Sequence, residues 1–187
     1  ELREPAAMSS CKTGNRIVQK VNHTEQAIRD LGALARNAGI TTCTDLAGAS
    51  ILSPKALSMW QQITNDEHYP LRVAQYNIPA MPGAAAAFDE VADQFVELQK
   101  KQTEKLRFPG VKFVLDGSIQ GFTALIDEPG YFSGEDHGQL LTVPEQFADW
   151  LRPFHRAGLN VHMHCNGNLT QQLAIDTVEK ILREDPW

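Results

Sequence analysis

The sequence predicts an α/β protein with a parallel sheet. Three observations carry that prediction. Four short runs are rich in apolar and β-branched residues, which suits strands. Helical patterns, apolar at steps of three and four, precede the first run and separate all four. Capping residues, prolines and glycines punctuate the junctions. Regular alternation of this kind is the signature of right-handed βαβ units.

Segment 1–21 reads as an irregular lead-in, with Pro5 and Gly14 as breakers. A helix follows on Ile28, Leu31, Leu34 and Ala35, capped by Asn22 or Thr24 and stopped by Gly39. Residues 40–45 form the first strand. Ser53-Pro54 opens a helix to near Asn65, with proline in its first turn. Residues 71–78 form the second strand, and 84–101 a long amphipathic helix. Residues 111–115 form a compact third strand. The loop 117–141 holds Gly117, Gly121, Gly130, Gly134 and Gly138. Thr142-Val143-Pro144-Glu145 then caps a helix that ends at Gly158. The fourth strand is 159–164, and the last helix is 169–184. The whole chain, 1–187, reads as a single domain.

Composition removes several function classes. With 187 residues, 42% apolar and 21% charged, the chain suits one globular domain. Its net charge of −6, without a basic cluster, excludes a nucleic-acid partner. No stretch approaches about 20 consecutive apolar residues, so no membrane span is expected. No signal-peptide pattern opens the chain, which starts on Glu1. Cys11, Cys43 and Cys165 are odd in number and far apart. Free thiols in a reducing compartment are the expectation, with the cytoplasm favoured.

Two architectures satisfy the alternation. One is an open doubly wound sheet, and the other is part of a (β/α)₈ barrel. No glycine fingerprint follows the first strand, which counts against dinucleotide binding. A full barrel needs about 250 residues and eight strands. In either architecture, functional side chains gather at the carboxyl ends of strands. Asp45, Gln75, Asn77, Lys112, Asp116, His162 and His164 stand there, followed by Asn166-Gly167-Asn168.

Val161-His162-Met163-His164 is the sharpest local feature. Strand alternation puts both imidazoles on one face, where they can share a metal or form a hydrogen-bonded interior pair. Lys112 lies inside the apolar run Val111–Leu115. It is either an edge residue reaching solvent or a site lysine serving as nucleophile, base or modified metal ligand. Asp116-Gly117-Ser118 is either an ordinary turn or a substrate contact. Asp45 can cap the following helix or pair with Lys112.

Three segments together resemble the amidohydrolase superfamily, and within it the family 3 branch that includes N-substituted formamide deformylases. They are Gly39-Ile40-Thr41-Thr42-Cys43-Thr44-Asp45, Val111–Ser118 with the later Thr123-Ala124-Leu125 and Glu128-Pro129, and Gly158–Asn168. Glu1–Ala7 is similar to a segment that members carry farther upstream. The resemblance implies a partial (β/α)₈ barrel of about four parallel βα units, matching barrel strands two to five. It implies Lys112 and His164 as metal ligands, for one or two divalent ions with zinc expected. Lys112 is carbamylated in some members. His162, Asp116, Ser118 and Asn168 become neighbours of the metal or substrate. The implied reaction is hydrolysis of an amide-type C–N bond in a small molecule by metal-activated water. Asn168, Cys165 and Asn166 depart from the family pattern. The family's His-x-His of strand one, histidine of strand six and aspartate of strand eight have no place in the chain. The expectation is therefore a piece of a larger enzyme, inactive alone, that needs the remainder of the barrel and otherwise self-associates. The alternative is a non-catalytic regulatory or ligand-binding relative that keeps the scaffold.

Overall fold

The computed structural model describes residues 10–47, 53–79, 87–134 and 137–186. Four strands form one sheet in the order β1-β2-β3-β4, and every pairing is parallel. The strands are β1 Thr42–Asp45, β2 Arg72–Asn77, β3 Leu106–Val114 and β4 Asn160–His164. The helices are α1 Lys12–Asn22, α2 Glu25–Asn37, α3 Pro54–Thr64, α4 Phe88–Gln99, α5 Pro144–Arg156 and α6 Asn168–Glu184. Neighbours in sequence are neighbours in the sheet, the order of half a (β/α)₈ barrel. The predicted α/β half-barrel is therefore the fold.

The lead-in reading needs correction. Residues 12–22 form α1, and Gly14 sits inside it. Ile17, Val18 and Val21 recur at helical spacing, and that pattern outweighs one glycine. Residues 1–9, including Pro5, lie outside the described residues. In α2 the Thr24 hydroxyl accepts the Ala27 N–H at 3.1 Å, so Thr24 is the cap. Its buried stripe is Ile28, Gly32 and Ala35, whereas Leu31 and Leu34 are exposed. Gly32 makes room for the Tyr69 ring, because a Cβ there would fall 2.7 Å from Tyr69 Cε2. Thr142 does not cap α5. The cap position is Val143, without a side-chain bond, and Thr142 Oγ1 is buried without a partner among the described residues.

The third strand is longer than predicted and runs through Pro109-Gly110. Leu106 and Phe108 face the core, and then Val111 and Phe113 do. That three-residue step breaks alternation. The pairing with β2 slips at the same place, where Ala74 pairs with Arg107 and Tyr76 with Gly110. A bulge in β3 absorbs the extra residue, and Pro109 brings no N–H that the bulge would orphan. Its consequence is that Lys112 faces away from the core.

The core fills the space between helices and sheet. Phe95, Phe108, Phe147 and Phe154 are each 0% exposed. Phe88, Phe113, Phe154 and Trp150 pack ring on ring between α4, α5 and the sheet. Trp60 packs on the same core from α3. Among the described residues no helix is long and apolar enough to cross a membrane.

Tyr69 sets an alkaline limit. Its hydroxyl donates to Ile28 O at 3.1 Å. Burial, with the Cys43 charge adding, pushes its phenol up to about 12. An unfolded phenol ionises near pH 10. Stability from this group is complete below about pH 10 and lost as pH rises toward 12. Urea midpoints are expected to fall between pH 9 and 11, and less steeply in Tyr69→Phe. The half-buried thiols Cys43 and Cys165, also raised, carry the remaining slope.

Candidate metal-facing site

The sheet has one face packed under helices and one open face. On β4, Val161 and Met163 pack against the core, so Asn160, His162 and His164 take the open face. On β3, Val111 and Phe113 pack inward, so Lys112 and Val114 take the open face. In register, Lys112 stands beside His162 and Val114 beside His164. Lys112 and His164 thus share one face, on neighbouring strands, near their carboxyl ends. The Lys112 ammonium makes no hydrogen bond or ion pair among the described residues.

His164 is held by the turn that follows β3. Its Nε2 lies 2.9 Å from Gly117 O. A carbonyl only accepts, so in that bond Nε2 is the donor, and the neutral ring that makes it carries its lone pair on Nδ1. Asn166 Nδ2 donates to the same carbonyl at 2.9 Å and stands 3.0 Å from His164 Nε2. An imidazole fixed in one tautomer by a backbone carbonyl is the usual state of a metal-ligating histidine.

Asp116 builds the rim. It is 0% exposed, and three backbone N–H groups donate to its carboxylate. Asn166 N lies 2.9 Å from Oδ1, while Gly167 N at 2.7 Å and Leu125 N at 3.2 Å reach Oδ2. This one side chain joins the end of β3, the long loop and the β4–α6 turn. Its Oδ1 is 3.8 Å from His164 Nε2. Ser118 Oγ accepts the Gly121 N–H, and Ser118 N donates to Thr123 Oγ1, closing the loop's first turn. Asn168 Oδ1 accepts the Asp127 N–H and fastens the loop to the start of α6.

Other strand-end residues lie elsewhere. Asp45 shares the helix-packed face with Cys43 and accepts the Ala47 N–H at 3.0 Å. It neither pairs with Lys112 nor caps α3, whose cap position is Ser53. Gln75 and Asn77 are also on the packed face, 1% and 3% exposed. Strand alternation, counted from Val73, would have assigned them there. Sequence reasoning passed over Tyr76, which alternation puts on the open face. Tyr76 packs edge-on against His162, with ring centroids 4.4 Å apart. Cys165 is no thiolate at neutral pH. Burial, with the Asp116 charge adding and Lys112 opposing, pushes its thiol up to about 11.

Lys112 Nζ and His164 Nδ1 are two nitrogens on one open face. Among the described residues no group of three or more His, Cys, Asp or Glu side chains stands together to hold a metal. Asp116 is already committed to three amides.

The sequence model of the amidohydrolase family matches residues 3–187. The chain belongs to the amidohydrolase family. Within that family it is 26% identical, over 91 residues, to the protein named "Putative amidohydrolase YtcJ" of Bacillus subtilis (strain 168). That match covers 49% of this chain and 17% of the Bacillus protein. Two crystal structures of uncharacterized metal-dependent hydrolases share the fold. The one from Pyrococcus horikoshii OT3 superposes with a TM-score of 0.67 at 20% identity, over 92% of this chain and 34% of that one. The one from Pyrococcus furiosus has a TM-score of 0.69 at 23% identity, over 96% and 36%. This amidohydrolase chain thus spans about a third of each archaeal chain.

Proposed function

We propose that the chain carries four βα units of a metal-dependent amidohydrolase barrel that hydrolyses an amide-type C–N bond in a small molecule. The observation that carries the reading is the shared open face of Lys112 and His164. His164 would hold the metal through Nδ1, and Lys112 would do so through a carbamate on Nζ. The expected ion is zinc, one or two per complete site, and it supplies an acidified water and a polarised carbonyl. The chain's own residues bind and orient. Gly117 O fixes the His164 tautomer, Asp116 holds the rim, and Ser118 and Asn168 keep the loop against it. The β4 edge is backed by a hollow of about 610 Å³ lined by Met163, Ala174, Ile175, Val178 and Leu182. That apolar surface supports packing by the remainder of the barrel, and self-association when the chain stands alone. Light scattering from the isolated chain is expected to exceed the monomer value, and a strict monomer would count against this.

Reading the coding DNA on both sides of the segment tests the proposal. A His-x-His codon pair upstream, with a histidine and then an aspartate downstream at strand ends, is expected. Replacement of those four residues would leave a binding or regulatory relative. The isolated chain is expected to bind zinc weakly and to hydrolyse no amide measurably. Robust turnover by the purified chain would refute its proposed dependence on the remainder of the barrel.

A further inference from the structure

The open face carries one contact that spans three strands. Tyr76 on β2, Gly110 on β3 and Asn160 on β4 lie in one row. Gly110 lets β3 and β4 approach closely, since a Cβ there would fall 1.8 Å from the Asn160 backbone O. The Tyr76 ring reaches past β3 to β4. It meets the His162 ring edge-on, with centroids 4.4 Å apart at 76°, and its Oη lies 3.5 Å from Asn160 Nδ2. Tyr76 is only 6% exposed, although it sits on the open face. His162 in turn is the register neighbour of Lys112.

We propose that Tyr76 is a positioning residue, holding the His162 ring upright as a wall beside the Lys112 stem. The wall limits the directions the lysine can take, so its nitrogen stays aimed along the face toward His164. The proposal rests on the reading of that face as metal-facing. Gly110 supports the arrangement by letting β4, which carries His162, lie close against β3.

Histidine ring-proton spectra of the chain, recorded through a zinc titration, test it. In the unaltered chain and in Tyr76→Phe, the His162 ring protons are expected to carry a ring-current shift from the neighbouring ring, and zinc to move the His164 signals. In Tyr76→Leu that shift is lost and zinc affinity falls about tenfold, the lower end for groups supporting metal ligands. A lost ring-current shift with unchanged affinity would reduce Tyr76 to packing and overturn the proposal, while leaving the metal reading intact. No zinc effect on His164 in the unaltered chain would defeat the metal reading instead, and the positioning role with it. Should Tyr76→Leu not fold, substitutions at exposed His162 decide. His162→Phe keeps the wall and is expected to keep affinity within about twofold, whereas His162→Ala is expected to lose about tenfold. Equal losses in both would show that the His162 nitrogens bind the metal directly, and would overturn the proposal.

Discussion

Asp116→Ala is expected to cost about 3–5 kcal/mol of stability, because it leaves three N–H groups, one buried and two half-buried, without an acceptor. Those donors belong to Leu125, Asn166 and Gly167, on three separate segments. Each unpaired buried donor costs about 1–3 kcal/mol. The estimate stays below their sum because the rim relaxes and admits water once the carboxylate is gone. The loss is read as a lower urea midpoint at unchanged slope. Asp116→Asn retains one acceptor oxygen and should fall between. A loss below about 1 kcal/mol for Asp116→Ala would mean that the three bonds do not hold the rim. The same variant should loosen His164, whose tautomer depends on the adjacent Gly117 carbonyl.

Gly167→Ala is expected to cost about 3 kcal/mol or more, as severe overpacking does. The reason is contact, not backbone strain. Gly167 has φ −79, open to any residue, but its Cβ would lie 1.7 Å from Leu125 O. The loop cannot retreat easily, since Leu125 N is bonded to Asp116 and Asp127 N to Asn168. Gly39→Ala is the control. There φ is +71 with nothing within 4 Å, so the penalty is conformational only, about 1 kcal/mol. Equal losses at the two glycines, by urea unfolding, would show that the loop gives way at Leu125.

Much of the fold was legible because it rests on local signals. Thr24, Pro54, Pro144, Gly39 and Gly158 mark helix ends, and the four strand runs lie between them. The failures have physical causes. Pro109-Gly110 looks like a break in sequence, yet a parallel strand accommodates it as a bulge because β2 and β4 pair on both sides. Gly14 looks like a breaker, yet the helix runs through it. At the site, the faces of His162 and His164 follow from alternation alone, and so does that of Lys112 when the count is kept within Val111–Leu115. Counted from Leu106 and Phe108 it would come out on the wrong side, because the bulge resets the alternation. Asp116 could be suspected but not placed. Its partners lie 9, 50 and 51 residues away, and no spacing rule connects them. Tyr76 was hidden for the same reason, since its contact skips a strand.

The central claim is that Lys112 and His164 face one metal. The most direct measurement is anomalous diffraction at the zinc edge from crystals of the chain soaked in zinc(II). The account predicts a peak about 2.0–2.1 Å from His164 Nδ1, on the Lys112 side of β4, with Nε2 still bonded to Gly117 O. Zinc bound only at other residues, with the His164 Nδ1 position empty, would contradict it.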